Sequence, residues 1–245
     1  MAERSIHEME KEATGVAHRE IAAPLAAAIN VLNLATKLQA NDSPVKTLSK
    51  AVIVRLLLLQ RIQNDLRCCI ILVEHGYSLQ AASLAAGIFE GWVTLANLEN
   101  EDDAVKWLLH SNENESFGRI RSLTKQALAK SVGDARNADT WYSQYQQLCM
   151  AKHLNPIVER SRGYTSKDKT IQFRPGPDTS ELAIKFGWLS LERATRFALL
   201  ALTIIAHSQE TSEELYRELT EQHIALKELE DESIRRWPDN YIVDA

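Results

Sequence analysis

Residues 78–98 read SLQAASLAAGIFEGWVTLANL, and Glu90 is the only charge among them. The remainder is alanine, glycine, large apolar residues and a few neutral polar ones, which predicts a helix over about residues 79–99. Ser83, Gly87 and Gly91 recur there at four-residue spacing. They share one face, and such a row of small residues lets another helix approach closely. A carboxylate in these surroundings is paired, protonated or aimed at a ligand, because burying it alone costs several kcal/mol or more.

Upstream lies a second helix, about 45–73, whose apolar stripe is Leu58, Ile62, Leu66, Cys69, Ile70 and Val73. Gln60, Arg61, Asn64 and Arg67 are mostly turned away from that stripe. His75-Gly76 marks its end, and Ser78 is placed to cap the helix that follows. In an antiparallel hairpin about residue 76, positions equidistant from the turn lie at one level. Glu90 then faces the neighbourhood of Ile62, and Arg61 is its expected partner in a buried Arg–Glu pair that fixes the register.

The same helical signature runs through the rest of the chain, which has only 9 Gly and 6 Pro in 245 residues. A first helix covers about 3–39 and is broken or bent near Pro24, with NDSP at 41–44 as a turn. Further helices follow at about 102–110, 115–131 and 140–153, then at 180–208 and 212–235. Between them, residues 154–179 form an irregular, basic insertion in which Thr170–Phe173 has the pattern of a short strand or β-hairpin. The expected fold is an all-α, single-domain bundle of about seven or eight helices spanning 1–245, with that one insertion.

Composition excludes several classes. Hydrophobic residues at 45% and charged ones at 25% are those of a soluble globular protein. A net charge of -5 argues against a generally basic nucleic-acid binder. Cys68, Cys69 and Cys149 form no CxxC pair, which fits a reducing cytoplasm. The charged start, MAERSIHEMEKEATG, lacks the apolar segment of a signal peptide, and the run FALLALTIIA at 197–206 is too short to span a bilayer. A cytoplasmic protein without a membrane partner is expected.

Two further groups carry chemistry. Tyr145, Cys149 and His153 fall at i, i+4 and i+8 and share one helix face. An imidazole beside a thiol can lower its pKa and supply a base, but no orienting acid or oxyanion feature accompanies this pair, and a packed cysteine is the favoured reading. Together with Glu90 and Arg61, these three are the candidate ligand-binding residues. Arg160, Arg162, Lys167, Lys169 and Arg174, with Lys152 before them and Tyr164 and Phe173 interleaved, have the residue types that contact phosphates and stack a base. A solvated loop of scattered charge is the favoured alternative to RNA contact there. His18 and Pro24 stand one residue too far apart for the phospho-acceptor box of sensor histidine kinases. Neither HExxH nor a paired ExxH occurs, so no metal and no cofactor are expected.

The Gly76 turn, Ile88-Phe89-Glu90 and Tyr145-x3-Cys149-x3-His153-x2-Pro156 resemble, over roughly residues 50–210, an uncharacterised family of all-helical bacterial proteins. That family often has Arg one turn before the Glu, where Ala86 stands here. Arg217-Glu-Leu-Thr-Glu-Gln-His223 is similar to the Arg…His signature of the HEPN superfamily, without the Asn, His or Asp that usually follows the Arg. That resemblance implies a metal-independent RNase of a toxin–antitoxin or phage-defence system. His223 would handle the proton of the attacking 2′-OH, and Arg217 would stabilise phosphate charge. The leading expectation is instead a non-enzymatic binding or regulatory protein. It would act through a helical surface or a polar site near Glu90 and His153, as a homodimer or with a protein partner.

Overall fold

The computed structural model describes residues 5–40, 49–109, 119–133, 135–152, 176–208 and 211–238. Nine helices and no strand occur among them. They are α1 (Ile6–Glu20), α2 (Ala22–Ala40), α3 (Lys50–Glu74), α4 (Ser78–Ala96), α5 (Glu101–Leu109), α6 (Ile120–Ser131), α7 (Ala138–Lys152), α8 (Glu181–Ser208) and α9 (Glu213–Arg236). The expected strand at Thr170–Phe173 lies outside the described residues, as does the insertion up to residue 175.

The count exceeds seven or eight because the N-terminal helix is two. α1 ends at Ile21, and α2 leaves at about a right angle, 90°. Proline disrupts a helix interior but is tolerated in a first turn, so the break falls three residues before Pro24 and leaves it near the start of α2. The proline cannot donate to the Glu20 carbonyl. Arg236, at the far end of the chain, donates to that oxygen at 3.1 Å and to the Glu20 carboxylate at 2.7 Å. Its guanidinium also lies over the Trp237 ring, 4.7 Å from the centroid.

α3 and α4 form the expected hairpin. Gly76 has φ 82°, and a Cβ there would come within 2.8 Å of Pro177 and 3.0 Å of Ala13, so glycine is required both by backbone and by space. Ser78 does not cap α4. It is buried at the first position of the helix, and Tyr77 precedes it without a side-chain cap. At the other end, buried Asn97 donates to the carbonyls of Val93 at 2.7 Å and Leu123 at 3.1 Å, tying α4 to α6. α3 starts under Ser49, whose hydroxyl accepts the Val52 N–H, and Glu101 of α5 accepts the N–H groups of Lys50 and Ala51.

α4 and α8 pack on each other in the middle of the bundle. α3, α6 and α7 flank α4, while α2 and α9 flank α8. Phe89, Trp92, Phe186 and Phe197 are the largest fully buried side chains of this core. Among the described residues α4 alone is long and apolar enough to cross a membrane unbroken, and it is mostly buried inside the bundle.

Candidate functional site

Small residues fix the hairpin register. A Cβ on Gly91 would stand 3.0 Å from Ile62, and one on Gly87 would stand 3.8 Å from the Asp65 carboxylate. Level for level this matches the expected pairing, but Glu90 does not meet Arg61. Successive side chains on a helix are rotated by about 100°, so when Gly91 faces α3 its neighbour points round the helix to another contact. Arg61 is 75% exposed and pairs with Asp65 on its own helix at 3.5 Å. Burial raises the Asp65 pKa, against the pull of Arg61.

Glu90 meets α7 instead. Its Oε1 accepts the Tyr145 hydroxyl at 2.8 Å and the Lys152 ammonium at 3.1 Å, and its side chain is 34% exposed rather than enclosed. The Tyr145 hydroxyl is also hydrogen-bonded to the Cys149 side chain one turn on. Burial, with these bonds and the Glu90 charge, drives the Tyr145 pKa up, so the phenol stays protonated. Burial likewise raises Cys149, opposed by Tyr145 and Lys152. At neutral pH this leaves a thiol rather than a thiolate, and the thiolate is the nucleophile. The arrangement holds a carboxylate in place; it does not activate the cysteine.

A rigid floor lies under this face. Phe89, next to Glu90, stacks on Tyr145 with centroids 4.7 Å apart and meets Phe197 of α8 edge-on at 4.9 Å. Trp92 lies 5.5 Å from Trp141 and 5.8 Å from Phe197, so α4, α7 and α8 share one aromatic cluster. His153, Arg160, Arg162, Lys167, Lys169 and Arg174 lie outside the described residues.

Sequence reasoning missed a second group of charges. Glu192 and Arg193 are 3% and 2% exposed in the middle of α8. Arg196 donates to Glu192 at 2.5 Å and to Glu230 of α9 at 3.0 Å, and Lys227 donates to the other Glu230 oxygen at 3.1 Å. Arg193 donates to Gln147 of α7 at 3.0 Å. Burial raises the Glu192 pKa, against Arg196 and Arg193, and pulls Arg193 down to about 10. Burial opposes the charges on Arg196 and Glu230 too, but the attraction of the ion pairs prevails and strengthens both. The signal was available: FGWLSLERATRFALLALTIIA, 186–206, isolates charges in an apolar helix just as 78–98 isolates Glu90.

The Arg217–His223 pair is not assembled on one face of α9. Six residues on a helix turn the side chain through about 240°. Arg217 is exposed, whereas His223 is half-buried against α8 with Nε2 3.0 Å from the Thr203 hydroxyl. Burial and then Arg196 lower the His223 pKa. The helix packs its His223 side onto α8. No group of three or more His, Cys, Asp or Glu side chains among the described residues is placed to hold a metal ion. No protein-family model, curated protein or solved structure matches this sequence.

Proposed function

We propose that this protein is a non-enzymatic binding module whose recognition face is centred on Glu90, where α4 and α7 meet. One observation carries the reading. Both hydrogen bonds to the Glu90 carboxylate fall on Oε1, and Oε2 has no hydrogen-bond partner among the described residues although the side chain is one-third exposed. A carboxylate held by Tyr145 and Lys152 over stacked aromatics is pre-oriented, so a partner does not bear the entropy of ordering it. The fitting ligand group is a planar cation, since a guanidinium donates two parallel bonds to a carboxylate where an ammonium donates one. An arginine presented by a protein partner, including a second copy of this chain, supplies that group.

The test is a titration of the purified chain with an arginine-bearing peptide, followed by amide chemical shifts, in parallel with an RNA cleavage assay. Shifts should cluster at residues 89–91 and 145–152 and vanish in Glu90→Gln, and RNA should stay intact with or without divalent metal. Cleavage in EDTA that is lost in both His223→Ala and Arg217→Ala would replace this reading with the HEPN-like ribonuclease. Absence of any peptide-induced shift would remove Glu90 as a recognition group.

A further inference from the structure

A cleft of about 680 Å³ opens between the start of α6 and the start of α7, well along α7 from Tyr145 and Lys152. Its charged and hydroxyl-bearing lining residues are all exposed, so the cleft is open to solvent. Arg119, Arg121, Ser122 and Lys125 line one side, Arg136 and Asp139 the other. Among the described residues four cations and one carboxylate line the cleft, Arg136 having a partner of its own, on a chain whose net charge is -5. Residues 119–131, RIRSLTKQALAKS, contain no acidic side chain at all.

Asp139 is committed to one of those cations. Arg121 donates to it at 2.8 and 3.2 Å and lies over the Tyr142 ring, 5.8 Å from the centroid, so its guanidinium is already oriented. Asp139 also reinforces the Arg121 charge, raising its pKa. The side chains of Arg119 and Lys125 are exposed and make no ion pair or hydrogen bond to another described residue. Arg121 and Lys125 stand at i, i+4, where like charges destabilise a helix. Such an arrangement is favourable once an anion sits among the cations.

We infer that this cleft binds a small, multiply charged phosphate anion, either a free polyphosphate or the polyphosphate tail of a nucleotide. Arginine forks onto two phosphate oxygens, lysine adds a point charge, and the Ser122 hydroxyl is a further donor. A small anion fits better than a long one, because a polymer running beyond the cleft meets the field of a net negative protein. The inference does not rest on the Glu90 reading.

Calorimetric titration tests it with inorganic triphosphate, ATP and a single-stranded oligonucleotide bearing a 5′-hydroxyl, at low and at moderate salt. Triphosphate should bind the wild-type protein and weaken with salt. The double variant Arg119→Glu with Lys125→Glu should weaken it at least about tenfold. Equal affinity for triphosphate and ATP assigns the site to the phosphates alone, and tighter ATP binding adds the nucleoside; both support the inference. Arg119→Ser with Lys125→Ser keeps the test open should charge reversal impair folding. Arg235→Glu, an exposed cation on α9, should leave binding unchanged. The inference is overturned if triphosphate does not bind at low salt, or if the paired variants bind as wild type. It is overturned equally if Arg235→Glu weakens binding as much, or if the oligonucleotide binds more tightly than triphosphate.

Discussion

Burial separates three cysteines that look alike in the sequence. Cys68 is exposed, Cys149 is half-buried beside Tyr145, and Cys69 is fully enclosed with its thiol donating to the Ala81 carbonyl at 3.4 Å. Burial raises the pKa of both Cys69 and Cys149. Reaction with a thiol reagent such as Ellman's at neutral pH should therefore show one fast thiol, removed by Cys68→Ser. A slower one should follow at Cys149, and Cys69 should react only on unfolding. If Cys149 reacted first, the neutral-thiol description of the Glu90 face would be wrong. Sequence pattern placed Tyr145 and Cys149 on one helix face correctly, since i, i+4 spacing alone decides that. It did not find the contact of Tyr145 with Glu90, because that depends on how α7 settles against α4 across more than fifty intervening residues.

At the scale of elements, the α3–α4 hairpin depends on close approach at Gly91. A side chain there must displace Ile62, which sits 3.0 Å from the position a Cβ would take and is itself 1% exposed, so it has nowhere to move. Gly91→Val should destabilise the fold by about 1–3 kcal/mol, read from the urea midpoint at unchanged slope. A midpoint equal to wild type would show that the hairpin can open at no cost. The hairpin was legible because chain connectivity fixes its level and a small-residue row fixes its contact face. The rotation that carries Glu90 away from Arg61 was lost in treating a helix as a ladder rather than a screw. Pro24 announced a break in the N-terminal helix, yet its position follows from helix-start chemistry, and the carbonyl it leaves is satisfied by Arg236, far away in the chain. Such closures between distant segments have no local signature.

Across the whole molecule, ions buried on α8 bind α7 and α9 to the central helix, and their protonation couples stability to pH. Breaking a pair such as Arg196–Glu230 strands a charge in the interior, so these contacts hold the helices in one arrangement more than they add net stability. His223 lies beside this network, half-buried, with its pKa lowered first by burial and then by Arg196. The direction of the effect follows from proton uptake. Below its ordinary value of 6.5 the unfolded chain takes a proton that the folded chain refuses, so folding weakens as pH falls from 6.5 toward the lowered folded value. Glu192, whose pKa is raised, acts oppositely above the ordinary carboxylate value, and Glu230, whose pKa is lowered, contributes stability that is lost only in more acidic solution. Both carboxylates persist in His223→Gln, so comparison with that variant isolates the histidine. Urea unfolding from about pH 7.5 to 5.5 should show wild type losing more stability than His223→Gln, the two curves converging or crossing as pH falls. Parallel curves would mean that His223 takes up its proton as readily folded as unfolded, and the packing of α9 on α8 around Thr203 would need revision.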